Sequence, residues 1–153
     1  MLICKESDLD AYSVALMADF IRYMLIEQEQ TFSFETVMSH PGKIDFLQVA
    51  KKSGYKTYLY FIATDDPEIN ISRVNNRVQK GGHPVPKEKI TERYERSLNL
   101  LYKALKVADR AYILDNSKRR SSVLFEKKND GKGYLQVENY PRWFEKAVIE
   151  KLN

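Results

Sequence analysis

Arg73 and Arg77 stand four residues apart and are followed at once by Gly81-Gly82-His83. On a helix that spacing puts both guanidiniums on one face, next to a glycine pair where the backbone can turn. Two planar cations converging on one space suit the oxygens of a transferring phosphoryl group. An exposed helix face neutralised by Asp66 or Glu68 accounts for the same two residues. Glu35-Thr36 follows an alternating stretch, where a strand-end carboxylate can hold a sugar hydroxyl or a metal-bound water, or can simply cap the next helix. Asp115-Asn116-Ser117 follows a short apolar run and could bind a base or a phosphate, with turn formation the simpler role. His40 and His83 are the only histidines and lie far apart, so neither a metal pair nor a Ser-His-Asp arrangement is expected, and no metal ligands are assigned.

These residues need elements to carry them. Ser7 with Asp10 reads as a helix start, and a helix is expected from Asp8 to about Glu27. Its apolar residues recur at three and four, but Val14, Met17, Ile21, Leu25 and Ile26 widen the stripe, which predicts a core helix covered on more than one side. Thr31-Phe-Ser-Phe-Glu35 predicts a strand, residues 41–52 a helix stopped by Ser53-Gly54, and residues 55–63, almost continuously apolar, a buried parallel strand. Together these three form an expected βαβ unit. Asp66-Pro67 starts a helix that runs to Lys80, and a long helix follows from Lys87 to about Ala108. Residues 111–114 predict a short strand, residues 123–125 and 134–137 a hairpin around Asn129-Asp-Gly131, and residues 141–152 a final amphipathic helix. The expected fold is α/β, a mostly parallel sheet flanked by helices in a single domain, with a C-terminal hairpin and helix over residues 118–153.

Composition narrows the class. The chain has 153 residues, 43% hydrophobic and 12% aromatic, which is too apolar for intrinsic disorder. The net charge of +4 hides an asymmetry, since residues 1–40 hold two bases against seven acids and the remainder 23 bases against 14 acids. A basic body of this kind fits an anionic partner: a phosphorylated small molecule, nucleic acid or a charged membrane surface. A single cysteine, Cys4, fits a reducing, cytoplasmic compartment, and no apolar run approaches the ~18 residues of a membrane span.

The ordered string Ser-Phe-Glu-Thr-Val at 33–37, Arg73-x-x-x-Arg77-x-x-x-Gly-Gly-His-x-Val-Pro86, Ile90-x-x-Arg-Tyr-x-Arg-Ser-Leu98, Ala-Asp109 and Asp115-Asn-Ser117 resembles the zeta-toxin-like family of P-loop kinases. The resemblance covers residues 8–117, about two-thirds of the chain, as a kinase core. It implies an ATP-binding, mostly parallel kinase fold and a phosphotransferase. The best-known members are bacterial toxins that phosphorylate UDP-N-acetylglucosamine. By motif match Arg73 and Arg77 look like the catalytic lid arginines, Glu35 and Thr36 like the acceptor-pocket residues, and Asn116 like the residue near the nucleotide base. ATP and Mg2+ are the family's expected cofactors, and a nucleotide, a small acceptor, an antitoxin protein or an upstream kinase segment its expected partners.

One part of the pattern is absent. A P-loop, Gly-x-x-x-x-Gly-Lys-Ser/Thr, encloses phosphates with successive amides and one lysine. The six glycines stand at 42, 54, 81, 82, 131 and 133, and none fits; Gly42-Lys43 is followed by Ile44. In the family the first strand, the P-loop and the aspartate that serves as base precede the segment matched here. The expectation is therefore a partial kinase, inactive alone and binding ATP weakly, with self-association of a sheet short of a central strand. The alternatives are a non-catalytic module for a nucleotide-sugar or protein and, ranked last, a basic nucleic-acid-binding domain.

Overall fold

The computed structural model describes residues 11–152, with side chains from Ser13 onward. The chain divides into two compact units, Met1–Glu35 and Thr36–Asn153, each described by itself.

The first unit contains α1 (Ala11–Glu27) and an irregular segment after it. The helix start expected at Ser7 to Asp10 lies outside the described residues. Arg22 pairs with Asp19 and lies over the Phe34 ring, 4.7 Å from its centroid, and Phe34 stacks on Phe32. Val14, Leu16, Met17, Phe20, Ile21 and Tyr23 are exposed, contrary to the expected core helix. A single helix with one short segment has too little partner surface of its own to cover an apolar girdle that runs around it. The strand expected at Thr31–Glu35 does not form either. A strand exists through its ladder, and β-forming residues without a neighbouring backbone do not make one.

The second unit holds α2 (Gly42–Lys52), β1 (Tyr58–Ala63), α3 (Pro67–Gln79), α4 (Lys87–Val107), β2 (Arg110–Asp115), β3 (Ser122–Lys127) and β4 (Gly133–Leu135). The chain then runs through α5 (Arg142–Phe144), a π-helical turn (Glu145–Ile149) and α6 (Glu150–Leu152). The sheet order is β1-β2-β3-β4, with β1 parallel to β2 and both later pairs antiparallel. The sheet is thus mixed, not mostly parallel, because the predicted hairpin joins it directly: Phe125 opposes Leu135 and Ile113 opposes Phe125. The βαβ crossover is also not the expected one. It is β1-α3-α4-β2, since residues 31–35 provide no strand before α2.

One face of the sheet carries the core. Phe61, Ile113, Leu124 and Phe125 pack with Leu101, Ala104 and Leu105 of α4 and with Trp143, Phe144, Ala147 and Val148 of the C-terminal helical segment. Residues 143, 144, 147 and 148, spaced i, i+1, i+4 and i+5, share one buried side of this helical segment. On the other face Tyr58, Tyr60 and Ile62 stay exposed, and Tyr60 stacks on Tyr112 with ring centroids 5.0 Å apart. The expected two-sided burial of β1 therefore holds for one face alone, and the aromatic rings on the other face cover each other.

A polar lock sets the register of the parallel pair. The Thr57 N–H and hydroxyl both donate to Asp109 Oδ2 at 2.8 and 3.0 Å, and Asp109 N–H donates back to Thr57 Oγ1 at 3.1 Å. Lys51 Nζ lies 3.0 Å from Asp109 Oδ1 and donates to the Val107 carbonyl, which ties α2 to the end of α4. Lys127 Nζ donates to the carbonyls of Leu105 and Ala108, capping α4 with a cation from β3. Burial works to raise the Asp109 pKa, but the Thr57 and Lys51 bonds outweigh it and hold it at about 2, below the ordinary 3.8. A carboxylate with a depressed folded pKa stabilises fully above its unfolded pKa, and that contribution is lost as pH falls. The stability advantage of wild type over Asp109→Asn is accordingly expected to hold at neutral pH and to shrink as pH falls from about 4 to about 2. Thermal melts of both proteins across that window check it, and a constant difference would refute the assignment.

Candidate functional site

The carboxyl ends of β1 and β2, the two parallel strands, lie side by side, with Ala63 opposite Asp115. Brackets of polar groups gather there, as the geometry of parallel sheets favours. Asp66 caps α3 by accepting the Glu68 N–H at 2.8 Å, with Pro67 in the first turn, as the sequence implies. α3 then runs away from this end and presents Arg73 and Arg77 on one face. Both are exposed. Arg73 Nη2 donates to the Asn116 carbonyl at 2.7 Å, so two of the sequence-derived site residues, 43 positions apart, do meet. The contact uses the main chain of Asn116. Arg77 Nη2 donates to the His83 carbonyl at 3.3 Å.

The glycine pair closes α3. Gly82 N–H donates to the Arg77 carbonyl and Gly81 N–H to the Val78 carbonyl, both at 3.0 Å, with Gly81 at φ +90°. This is the paired-bond C-terminal cap that a left-handed glycine allows. A Cβ on Gly82 would stand 2.8 Å from Arg77 Cγ and 3.0 Å from the Arg77 carbonyl. The second glycine therefore makes room for the Arg77 stem, and the cap sets the direction of that side chain. Arg73, Asn76, Arg77, Lys80, Gly81 and Gly82 line an open groove of ≈ 520 Å³, with three cations and no acid among them.

Beneath the loop ends is a layer that sequence reasoning missed. Tyr94 of α4 donates its hydroxyl to the Thr64 carbonyl at 2.8 Å. Burial, then the charges of Asp65, Asp66 and Asp115, push its pKa up to about 12, so it remains a donor at any ordinary pH. Thr64 is buried and accepts from Asn70 Nδ2 at 2.9 Å. Trp143 sends its indole N–H to Asp115 Oδ1 at 3.4 Å. Tyr94 sat in plain view between Arg93 and Arg96, but its partner is a main-chain carbonyl 30 residues away, which no local pattern displays. Arg96 makes an exposed i,i+4 pair with Glu92 at 3.6 Å.

The remaining candidates are local. Thr36 Oγ1 accepts the Met38 N–H at 3.2 Å, supporting a turn in which buried Met38 takes φ +54°. Glu35 is exposed and belongs to the first unit. His40 Nδ1 accepts the Gly42 N–H at 3.1 Å at the start of α2, an ordinary loop use.

The α/β body thus places two guanidiniums on a helix that follows the carboxyl end of a parallel strand, the end at which open α/β sheets bind ligands. Comparison with known families supplies the rest: the Zeta toxin family model matches residues 7–130, and the chain belongs to that family, which is kinase-like. The chain is also similar to a Haemophilus influenzae protein described as uncharacterized, 30% identical over 90 residues that span 59% of this chain and 62% of that protein. No solved structure matches it. Among the described residues no helix is long and apolar enough to cross a membrane.

Proposed function

We propose that this chain carries the phosphate-gripping and acceptor side of an ATP-dependent phosphotransferase whose acceptor is a small hydroxyl compound such as a nucleotide-sugar. The observation that supports this most is the groove in which Arg73, Arg77 and Lys80 converge beside the glycine-capped end of α3. Such cations stabilise charge on the outer phosphates during transfer. Glu35 and Thr36 are assigned to the acceptor, and Asn116 to the nucleotide.

The residues present suit the outer phosphates but not a whole nucleotide with its metal. The 153 residues contain no Gly-x-x-x-x-Gly-Lys-Ser/Thr, and among the described residues no three His, Cys, Asp or Glu side chains group to hold a cation. No transfer step is therefore assigned to this chain by itself. In this reading a P-loop-bearing segment completes the grip on ATP and Mg2+.

Calorimetry with two ligands tests the proposal. Tripolyphosphate is expected to bind with a dissociation constant on the order of 1 mM, about −4 kcal/mol, and ATP within a few-fold of that, because Asn116 is the one group assigned to the rest of the nucleotide. Saturable micromolar ATP binding would overturn the partial-grip reading, and absence of tripolyphosphate binding would overturn the phosphate assignment. The acceptor side has its own check. UDP-N-acetylglucosamine is expected to raise the melting temperature of wild type and not of Glu35→Ala. Equal shifts in both proteins would remove Glu35 from the acceptor site.

A further inference from the structure

A chain of hydrogen bonds runs from the C-terminal helical segment to Arg73. Asp115 closes β2, and its Oδ1 accepts the Ser117 hydroxyl at 2.6 Å and the Trp143 indole N–H at 3.4 Å. With its hydrogen directed at Asp115, Ser117 Oγ has lone pairs free and accepts the Asp65 N–H at 2.7 Å. Asn116 N–H donates to the Ala63 carbonyl, also at 2.7 Å. Residues 115–117 are thus stitched to residues 63–65 at two points, and the Asn116 carbonyl between them receives Arg73 Nη2 at 2.7 Å. Trp143 is buried against Phe61 and Phe144, so the anchor at the far end of the chain of bonds is rigid.

From this geometry we infer that Asp115 is a positioning residue that acts through Ser117 and the Asn116 carbonyl to hold the Arg73 guanidinium at the groove. The inference rests on the reading of Arg73 as a phosphate-binding group given above. An exposed arginine samples many rotamers, and ordering it at the moment a ligand binds weakens the affinity. A guanidinium already resting on a fixed carbonyl has less to lose. The hydrogen-bond partners of Asp115 are an O–H and an N–H, both neutral donors, so the role requires an acceptor at Oδ1 and not a negative charge. Asparagine satisfies that requirement and alanine does not. Sequence-local turn formation, the simpler role for Asp115-Asn-Ser117, is fulfilled at the same time, but it explains neither the Trp143 contact nor the reach to Asp65.

The test uses the 153-residue chain, 15N spectra of its arginine side chains and tripolyphosphate as the probe. In wild type the Arg73 Nε and Nη signals are expected to be slow-exchanging and resolved. In Asp115→Ala they are expected to average, with tripolyphosphate affinity falling roughly three- to tenfold, and with no further loss when Arg73→Met is added. Asp115→Asn is expected to retain both the signals and the affinity. Should Asp115→Ala fail to fold, Ser117→Ala breaks the same link while leaving the carboxylate and Trp143 in place, and it is expected to give the same averaging. Unchanged Arg73 signals in both alanine variants would overturn the inference, as would Asp115→Asn behaving like Asp115→Ala. If Arg73→Met alone leaves tripolyphosphate affinity intact, the phosphate reading of Arg73 fails, and averaging of its signals in Asp115→Ala still decides whether Asp115 positions it.

Discussion

Phe144→Ala is expected to destabilise the second unit by about 3–5 kcal/mol, a large part of the ~5–15 kcal/mol that holds a domain of this size together. The ring is fully buried and meets Phe125, Tyr140 and Trp143 at centroid distances of 6.2, 5.6 and 5.8 Å. Those contacts join β3, the segment before α5 and the helical segment itself, so removal leaves a cavity lined by three large rings that cannot collapse together. Phe144→Leu keeps most of the volume and is expected to cost less than about 2 kcal/mol. Urea unfolding followed by Trp143 fluorescence reads both. A loss below about 1 kcal/mol for the alanine variant would mean that this segment does not close the core.

The second large effect concerns binding. Arg73→Met with Arg77→Met is expected to weaken tripolyphosphate binding on the order of 100-fold while leaving the urea midpoint unchanged. A hydrogen bond to a charged group contributes about 1.5–3 kcal/mol, and the lower end applies here because both side chains are exposed and screened. Two such losses near 1.5 kcal/mol give the factor stated. Stability is spared because both arginines donate only to carbonyls that water can reach. Arg96→Met removes an exposed cation of the same type from α4, paired only with Glu92, and is expected to change affinity by less than twofold. Equal losses from Arg96→Met and from the double variant would show a nonspecific cationic surface in place of a groove. Replacement of both groove arginines by lysine is expected to restore part of the affinity, since charge returns without the planar fork.

α3 was legible at both ends, because Asp66-Pro67 and Gly81-Gly82 act on backbone groups within a turn of themselves. The Arg73/Arg77 pair was legible for the same reason: four residues on a helix fix a shared face whatever surrounds it. The hairpin and its turn were also local. By contrast, residues 31–35 carry every side-chain mark of a strand and form none, since pairing depends on a neighbour that no alternation encodes. The exposed face of β1 and the exposed girdle of α1 fail in the same manner, apolarity announcing a need for cover without supplying it.

The sequence by itself determined the helix carrying the cations, the caps that orient it and the family to which the chain belongs. Only the tertiary structure decided that the sheet is mixed, that Tyr94 and Trp143 serve the strand ends, and that Arg73 rests on the Asn116 carbonyl. The division follows from distance along the chain. Bonds within one helical turn are dictated by residue type and spacing, whereas Thr57 with Asp109, Arg73 with Asn116 and Asp115 with Trp143 join positions 28 to 52 residues apart and exist only once the core has brought them together.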